Sequence, residues 1–310
     1  MAAPADQDGR RVGWDYWRQM TADDWRDMIA IAVLRRLPMD LSSAFGGKSG
    51  SIRGPRVYKG ADANARQNLA RLRPDIPADK REVMLGERWR CVGRTMAEFS
   101  ICDRLLARGR VELEGAEHLL AARAEGRGVI LAALHLGNWE VFAIVHRLGA
   151  WISTFYQPRP TRGREHISQA SRRRLGYRML TPGPAGVRGA LRTLAEGKTV
   201  VIFVDEEVEG VVRGPLFGRP AHRHSNLVYA AKLARRSGAA VLPAYILRTR
   251  GARFVVHIGP EARLTSTDEN PLGDDVAQIN AAIEPIVLAH PDQWFHLHEQ
   301  LDDPPAGDRI

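Results

Sequence analysis

From residue 128 onward, short runs of apolar and β-branched residues alternate with longer amphipathic stretches. Runs at 129–134, 151–156, 199–204, 240–247 and 253–258 have strand length and are bounded by turn residues, with a shorter one at 294–297. Between them, 139–148, 187–196, 225–237 and 274–290 carry apolar positions at helical spacing. Glu196-Gly197 and Ser237-Gly238 put glycine where such helices would end before a strand. The alternation predicts an α/β domain with a mostly parallel central sheet flanked by helices.

Upstream the period is helical. From 62 to 108 the apolar positions Leu69, Leu72, Val83, Met84, Trp89, Val92, Met96, Phe99 and Leu105 follow that spacing, giving an N-terminal helical region. Nearer the start, Trp14, Trp17, Met20, Trp25, Met28, Ile29, Val33 and Leu37 recur with Arg18, Arg26, Arg35 and Arg36 between them. Such a segment suits a membrane interface or a helix docked on the domain. Residues 42–60 are rich in Gly and Ser and read as a loop or linker. The expected organisation is therefore a Trp-rich segment and linker at 1–60, a domain at 61–300 and a flexible polar tail at 301–310.

The first 13 residues lack the apolar core of a signal peptide. The apolar run at 28–34 is stopped by Arg35-Arg36, short of the roughly 20 residues a spanning helix needs. Gly47-Lys48-Ser49 does not complete a phosphate-binding loop, because Ser42 stands where that motif needs its first glycine. Two cysteines, Cys91 and Cys102, are too few for a disulfide framework and point to a reducing compartment. The formal charge is +9, and only five of the 45 basic residues are lysine. Arginine-rich surface suits phosphate or carboxylate partners such as anionic lipid, an acidic carrier protein or nucleic acid. Interleaved aromatics on a nucleic-acid module are not found, so nucleic acid is not expected.

Chemistry concentrates in GVILAALHLGNWEVFAI, where His135 and Glu140 interrupt an otherwise apolar segment. Residues five apart on one α-helix point about 140° apart. A strand ending near His135, a turn at Gly137-Asn138 and a helix from Trp139 would instead bring the two together. Strand carboxyl ends are where parallel α/β sheets place their sites. Histidine is the usual base near neutral pH, and a carboxylate on its other nitrogen fixes the tautomer. Absence of a Gly-x-Ser-x-Gly elbow favours a dyad activating a substrate hydroxyl over an enzyme-borne nucleophile. Backbone N–H groups at Gly137 and Asn138 are candidates to stabilise an oxyanion. A structural His–Glu pair is the competing reading.

His135-Leu136-Gly137-Asn138-Trp139-Glu140 resembles the histidine–four residues–acid motif of the glycerolipid acyltransferase superfamily, in the form carried by bacterial lipid A late acyltransferases. The likeness continues in order through NARQNLARLRPDIPADKREVM, FYQPRP, GALRTLAEGKTVVIFVDEE, GPLFGRPAHRHSN, SGAAVLPAYILR and HPDQWFHLH. It implies transfer of a fatty acyl group from acyl carrier protein or acyl-CoA to a hydroxyl of a membrane lipid such as a lipid A precursor. By it, His135 is the base and Glu140 its orienting partner, and no metal or organic cofactor is required. A lysophospholipid, glycolipid or aminolipid acceptor is the alternative, and a non-catalytic basic membrane- or nucleic-acid-binding protein a further one. The family's spanning N-terminal helix is replaced here by the short Trp-rich segment, implying peripheral attachment on the cytoplasmic face of the inner membrane. Gln157 stands where the family has arginine, and Glu299-Gln300 where basic residues are expected.

Arg159, Arg164, Asp205 and Arg219 complete the candidate substrate-binding set, with Arg162 beside them. Glu206 and Glu207 read as solvated. His222-Arg223-His224 and His296-Leu297-His298 have strand-like ligand spacing, but without a third cluster the sequence argues against a metal site.

Overall fold

A computed structural model describes residues 18–157, 161–264 and 271–310. Among the described residues the first elements are five helices: α1 (Ala22–Arg36), α2 (Met39–Val57), α3 (Lys59–Leu72), α4 (Ala78–Glu98) and α5 (Cys102–Ala107). Then follow β1 (Val111–Glu114), α6 (Ala116–Ala124), β2 (Val129–Ala133), a 3-10 segment (Trp139–Leu148), β3 (Ile152–Phe155), α7 (Arg162–Leu175), β4 (Arg178–Leu180), α8 (Pro184–Ala195) and β5 (Thr199–Phe203). A two-stranded ribbon of β6 (Glu207–Val208) and β7 (Val211–Val212) precedes α9 (Asn226–Ser237), β8 (Ala240–Arg248), β9 (Phe254–Ile258), α10 (Pro271–Ala289) and a 3-10 turn (Phe295–His298).

The seven-stranded sheet runs β1-β9-β8-β2-β5-β3-β4. Five strands are parallel; β9 turns antiparallel on β8 and β1 follows it. This bears out the mixed α/β class with a mostly parallel sheet and a helical N-terminal region. All five residues of β2 are buried, as a strand covered on both faces requires. Its side chains alternate between two cores: Ile130, Ala132 and Leu134 face one, Val129, Leu131 and Ala133 the other.

Three readings change. Residues 42–60 are not a linker; most of them belong to α2. Their glycines serve close packing: a Cβ on Gly46 would lie 2.4 Å from the Gly93 carbonyl oxygen, and one on Gly50 2.3 Å from that of Trp89. The backbones of α2 and α4 meet directly, so small residues reflect contact rather than freedom. Residues 294–297 form only an isolated bridge, Leu136 to Trp294, before the chain tightens into a 3-10 turn. The tail beyond Leu301 is tied down, with Arg223 N–H donating to the Asp308 carbonyl at 2.7 Å and Ile310 N–H to that of Ala221 at 3.1 Å. The short edge strands β1 and β4 lacked the length to be read from sequence. Helix α7 left no apolar signature, because its buried face is largely Gly163, Ser168, Gln169 and Ser171. Trp14 and Trp17 lie outside the described residues, as does Arg159.

Candidate active site

The β2–β5 register pairs Ala133 with Phe203, so two residues further along His135 meets Asp205. Both stand beyond the carboxyl ends of central strands, where the sheet opens. His135 Nδ1 lies 2.8 Å from Asp205 Oδ1, and the His135 backbone N–H donates to Oδ2 at 2.8 Å. Trp294 Nε1 donates to the same Oδ2 at 2.9 Å. Burial opposes ionisation of Asp205, yet the neighbouring imidazole and these donors hold its carboxyl below the usual carboxylate range. His135 stacks on Phe203 at 4.2 Å and meets the edge of Trp139 at 5.1 Å. Its Nε2 makes no hydrogen bond among the described residues, and the side chain is 20% exposed.

Glu140, the partner expected from sequence, is turned elsewhere. Its carboxylate takes Arg172 at 2.7 Å, with Arg172 Nε at 3.1 and 3.2 Å from the two oxygens. The pair is buried and lines a small cavity with Thr154, Tyr177, Phe142 and Phe203. The physical reason lies in the turn: Gly137 has φ +57°, and the Asn138 side chain accepts from Glu140 N–H at 3.3 Å. The break falls where the sequence put it, but it sends Glu140 beneath the site. Asp205, expected from sequence to bind substrate, holds the histidine instead.

The turn itself is clamped. A Cβ on Gly137 would lie 2.6 Å from the Ile246 carbonyl oxygen, so glycine is needed for space as well as for φ. Gly137 N–H donates to the Gln293 carbonyl at 3.2 Å, which spends it as an oxyanion donor in this arrangement. Thr95 donates to the Gly137 carbonyl at 2.7 Å. Asn138 donates to Glu98, and Arg248 grips the same carboxylate at 2.6 and 2.8 Å.

Arg164 in the first turn of α7 pairs with Asp27 of α1 at 3.3 Å, while Arg162 donates to Gln19. Arg219 is buried and gives its N–H groups to the carbonyls of Leu216, Val212, Asp302 and Pro215. Burial lowers its pKa to about 10, and its donors brace a loop rather than meet a phosphate. Glu206 is not solvated as expected: burial raises its carboxyl to about 8, although Asn226 N–H donates to it.

The residue that sequence reasoning set aside is His296. Its Nε2 lies 3.3 Å from His135 Nδ1, with the rings nearly perpendicular at 87°. Burial, then the charge of His135, lowers its pKa to about 3 and keeps it neutral. Donor atoms of His135, Asp205 and His296 lie within 4.8 Å of one another, near enough for a shared cation. The 2.8 Å from Nδ1 to Oδ1 is a hydrogen-bond distance, closer than the roughly 3.3 Å between two ligands on tetrahedral zinc with bonds of about 2.0 Å.

The bacterial lipid A biosynthesis acyltransferase family matches residues 14–302. The chain is 26% identical over 293 residues to a lipid A biosynthesis palmitoleoyltransferase of Escherichia coli (strain K12), covering 92% of this chain and 93% of that one. It is 30% identical over 299 residues to a phosphatidylinositol mannoside acyltransferase of Mycobacterium tuberculosis (strain ATCC 25618 / H37Rv), covering 90% and 89%. With the lipid A biosynthesis lauroyltransferase of Escherichia coli (strain K12), identity is 24% over 253 residues, covering 78% and 79%. An α/β sheet with a His–Asp pair at its carboxyl edge, matched along nearly its whole length, belongs to the bacterial lipid A biosynthesis acyltransferase family.

Proposed function

We propose that this acyltransferase moves a fatty acyl group from an acyl thioester, carried by acyl carrier protein or CoA, to a hydroxyl of a membrane glycolipid. A lipid A precursor is the first acceptor to test. The mannosylated lipid named for the mycobacterial relative supports testing a second glycolipid class. The observation that carries the reading is His135, with Nδ1 held by Asp205 and Nε2 without a partner among the described residues. Nε2 takes the proton from the acceptor hydroxyl as its oxygen attacks the thioester carbonyl. The thiolate of the donor then leaves as the tetrahedral intermediate collapses. Asp205 fixes the tautomer and offsets the charge of the imidazolium. This chemistry calls on neither a metal nor an organic cofactor.

No described helix is long and apolar enough to cross a membrane. Trp25, Ile29 and Val33 of α1 and Leu41, Phe45 and Ile52 of α2 are exposed, with Arg26, Arg36, Lys48, Arg53 and Arg56 also exposed on these helices. Apolar stripes bordered by arginine support peripheral docking on an anionic bilayer, with the cytoplasmic face of the inner membrane as the proposed location.

The test is acyl transfer by purified protein from acyl carrier protein or acyl-CoA to a lipid A precursor, read by mass spectrometry. His135→Ala is expected to abolish the acylated product. Full activity in that variant would refute the base assignment.

A further inference from the structure

The residues of the terminal turn are zipped to the histidine loop. Phe295 N–H donates to the His135 carbonyl at 2.9 Å, Leu136 bridges Trp294, and Gly137 N–H reaches Gln293. This places His296 Nε2 3.3 Å from the nitrogen that already faces Asp205. Three electron-rich atoms therefore surround one position, and the protons can be assigned by counting. An ionised carboxylate only accepts, so His135 Nδ1 carries hydrogen. A second N–H on His296 Nε2 would then meet that hydrogen head-on. The proton of neutral His296 must sit on Nδ1, an atom that is buried without a partner among the described residues. Its bare Nε2 lone pair faces the His135 Nδ1–H.

We propose that His296 is a positioning residue: its Nε2 lone pair shares the Nδ1 proton of His135 with Asp205 and keeps His135 Nε2 bare toward the acceptor hydroxyl. Accepting through a neutral ring, it adds no positive charge beside the imidazolium that forms when His135 takes the substrate proton. The unpartnered Nδ1–H is the cost of that arrangement. Titratable and charged groups around the two rings are Asp205 after β5, Arg88 from α4 and His298 from the same turn.

The inference rests on the general-base reading, and the experiment separates the two. His296→Phe keeps a ring but removes the lone pair. It is expected to lower kcat about tenfold, leave KM nearly unchanged and move the acidic limb of kcat/KM toward lower pH. His296→Gln, whose Oε1 can reach the place of Nε2, is expected to restore kcat to within about threefold. Should the Phe variant fail to fold, side-chain nitrogen NMR of the native protein gives the tautomer directly: Nδ1–H with bare Nε2 supports the assignment. A protonated Nε2 on His296 overturns it. So does a folded His296→Phe enzyme with native kcat and pH profile, or a Gln variant no better than Phe. Activity lost on chelation and regained with zinc would likewise overturn it, since the three atoms would then share a metal. A dead His135→Ala beside a native-like His296→Phe sinks this inference alone, whereas an active His135→Ala sinks the base assignment itself.

Discussion

Replacing Asp205 by Asn changes one atom and reverses a proton. The native carboxylate accepts three bonds: His135 Nδ1–H on Oδ1, and His135 N–H and Trp294 Nε1–H on Oδ2. The amide of Asn offers one accepting oxygen. Keeping that oxygen on the two fixed donors turns its NH2 toward His135 Nδ1, which must then accept. The His135 proton moves to Nε2, the nitrogen that should take the substrate proton. A wrong-tautomer histidine of this kind costs about 10⁴-fold in kcat in the Ser-His-Asp hydrolases, or about 5 kcal/mol of barrier. For Asp205→Asn we expect a loss of about 10³ to 10⁴-fold with KM little changed, measured as acyl transfer under saturating donor. The lowered pKa of Asp205 also makes a stability prediction. Its contribution is present above the unfolded carboxyl value of about 3.9 and lost as pH falls through the lower folded value. The stability difference between native protein and variant should therefore shrink from pH 7 toward pH 3. A folded Asp205→Asn enzyme within tenfold of native kcat would refute the assignment of His135 and Asp205.

Glu140→Ala strands Arg172 in a buried site and should cost about 3–5 kcal/mol in denaturant unfolding; Glu140→Gln paired with Arg172→Met should recover much of it. Glu206, raised to about 8 by burial, favours folding while protonated, so its contribution fades as pH rises from about 4.3 through 8. Glu206→Gln should remove that part of the pH dependence, seen as a flatter Tm between pH 5.5 and 8.5. Ile29→Glu with Phe45→Glu should sharply reduce co-sedimentation with anionic vesicles while leaving the melting temperature within a few degrees; undiminished binding would refute docking through α1 and α2. Gly93→Val places a Cβ 2.3 Å from the Gly46 carbonyl oxygen and should destabilise by about 3 kcal/mol or prevent folding, checked by circular dichroism.

The sheet was legible because β2, β5 and β8 are long, apolar and buried on both faces, which leaves a continuous signature. His135 was legible because a histidine at the end of such a strand is out of place. Its partner was not, because strand pairing brings Asp205 across 70 positions of chain. Local spacing favours Glu140, which a two-residue turn carries away. Arg172 and Glu98 gave no local signal either; each is defined by a buried acid or base contributed from another element. The α2 helix was hidden for the opposite reason, since its glycines mimic a loop until the neighbour that needs them is in place.

That glycine seam has a mechanical consequence. Side chains bend and repack; backbone against backbone does not. Gly93 of α4 touches Gly46 and Gly50 of α2, and two residues along α4 Thr95 grips the Gly137 carbonyl in the turn after His135. A force on the outer helix thus reaches the histidine loop through a strut with little side-chain cushioning. The alignment of the turn after His135 therefore rests on how closely α2 and α4 are packed.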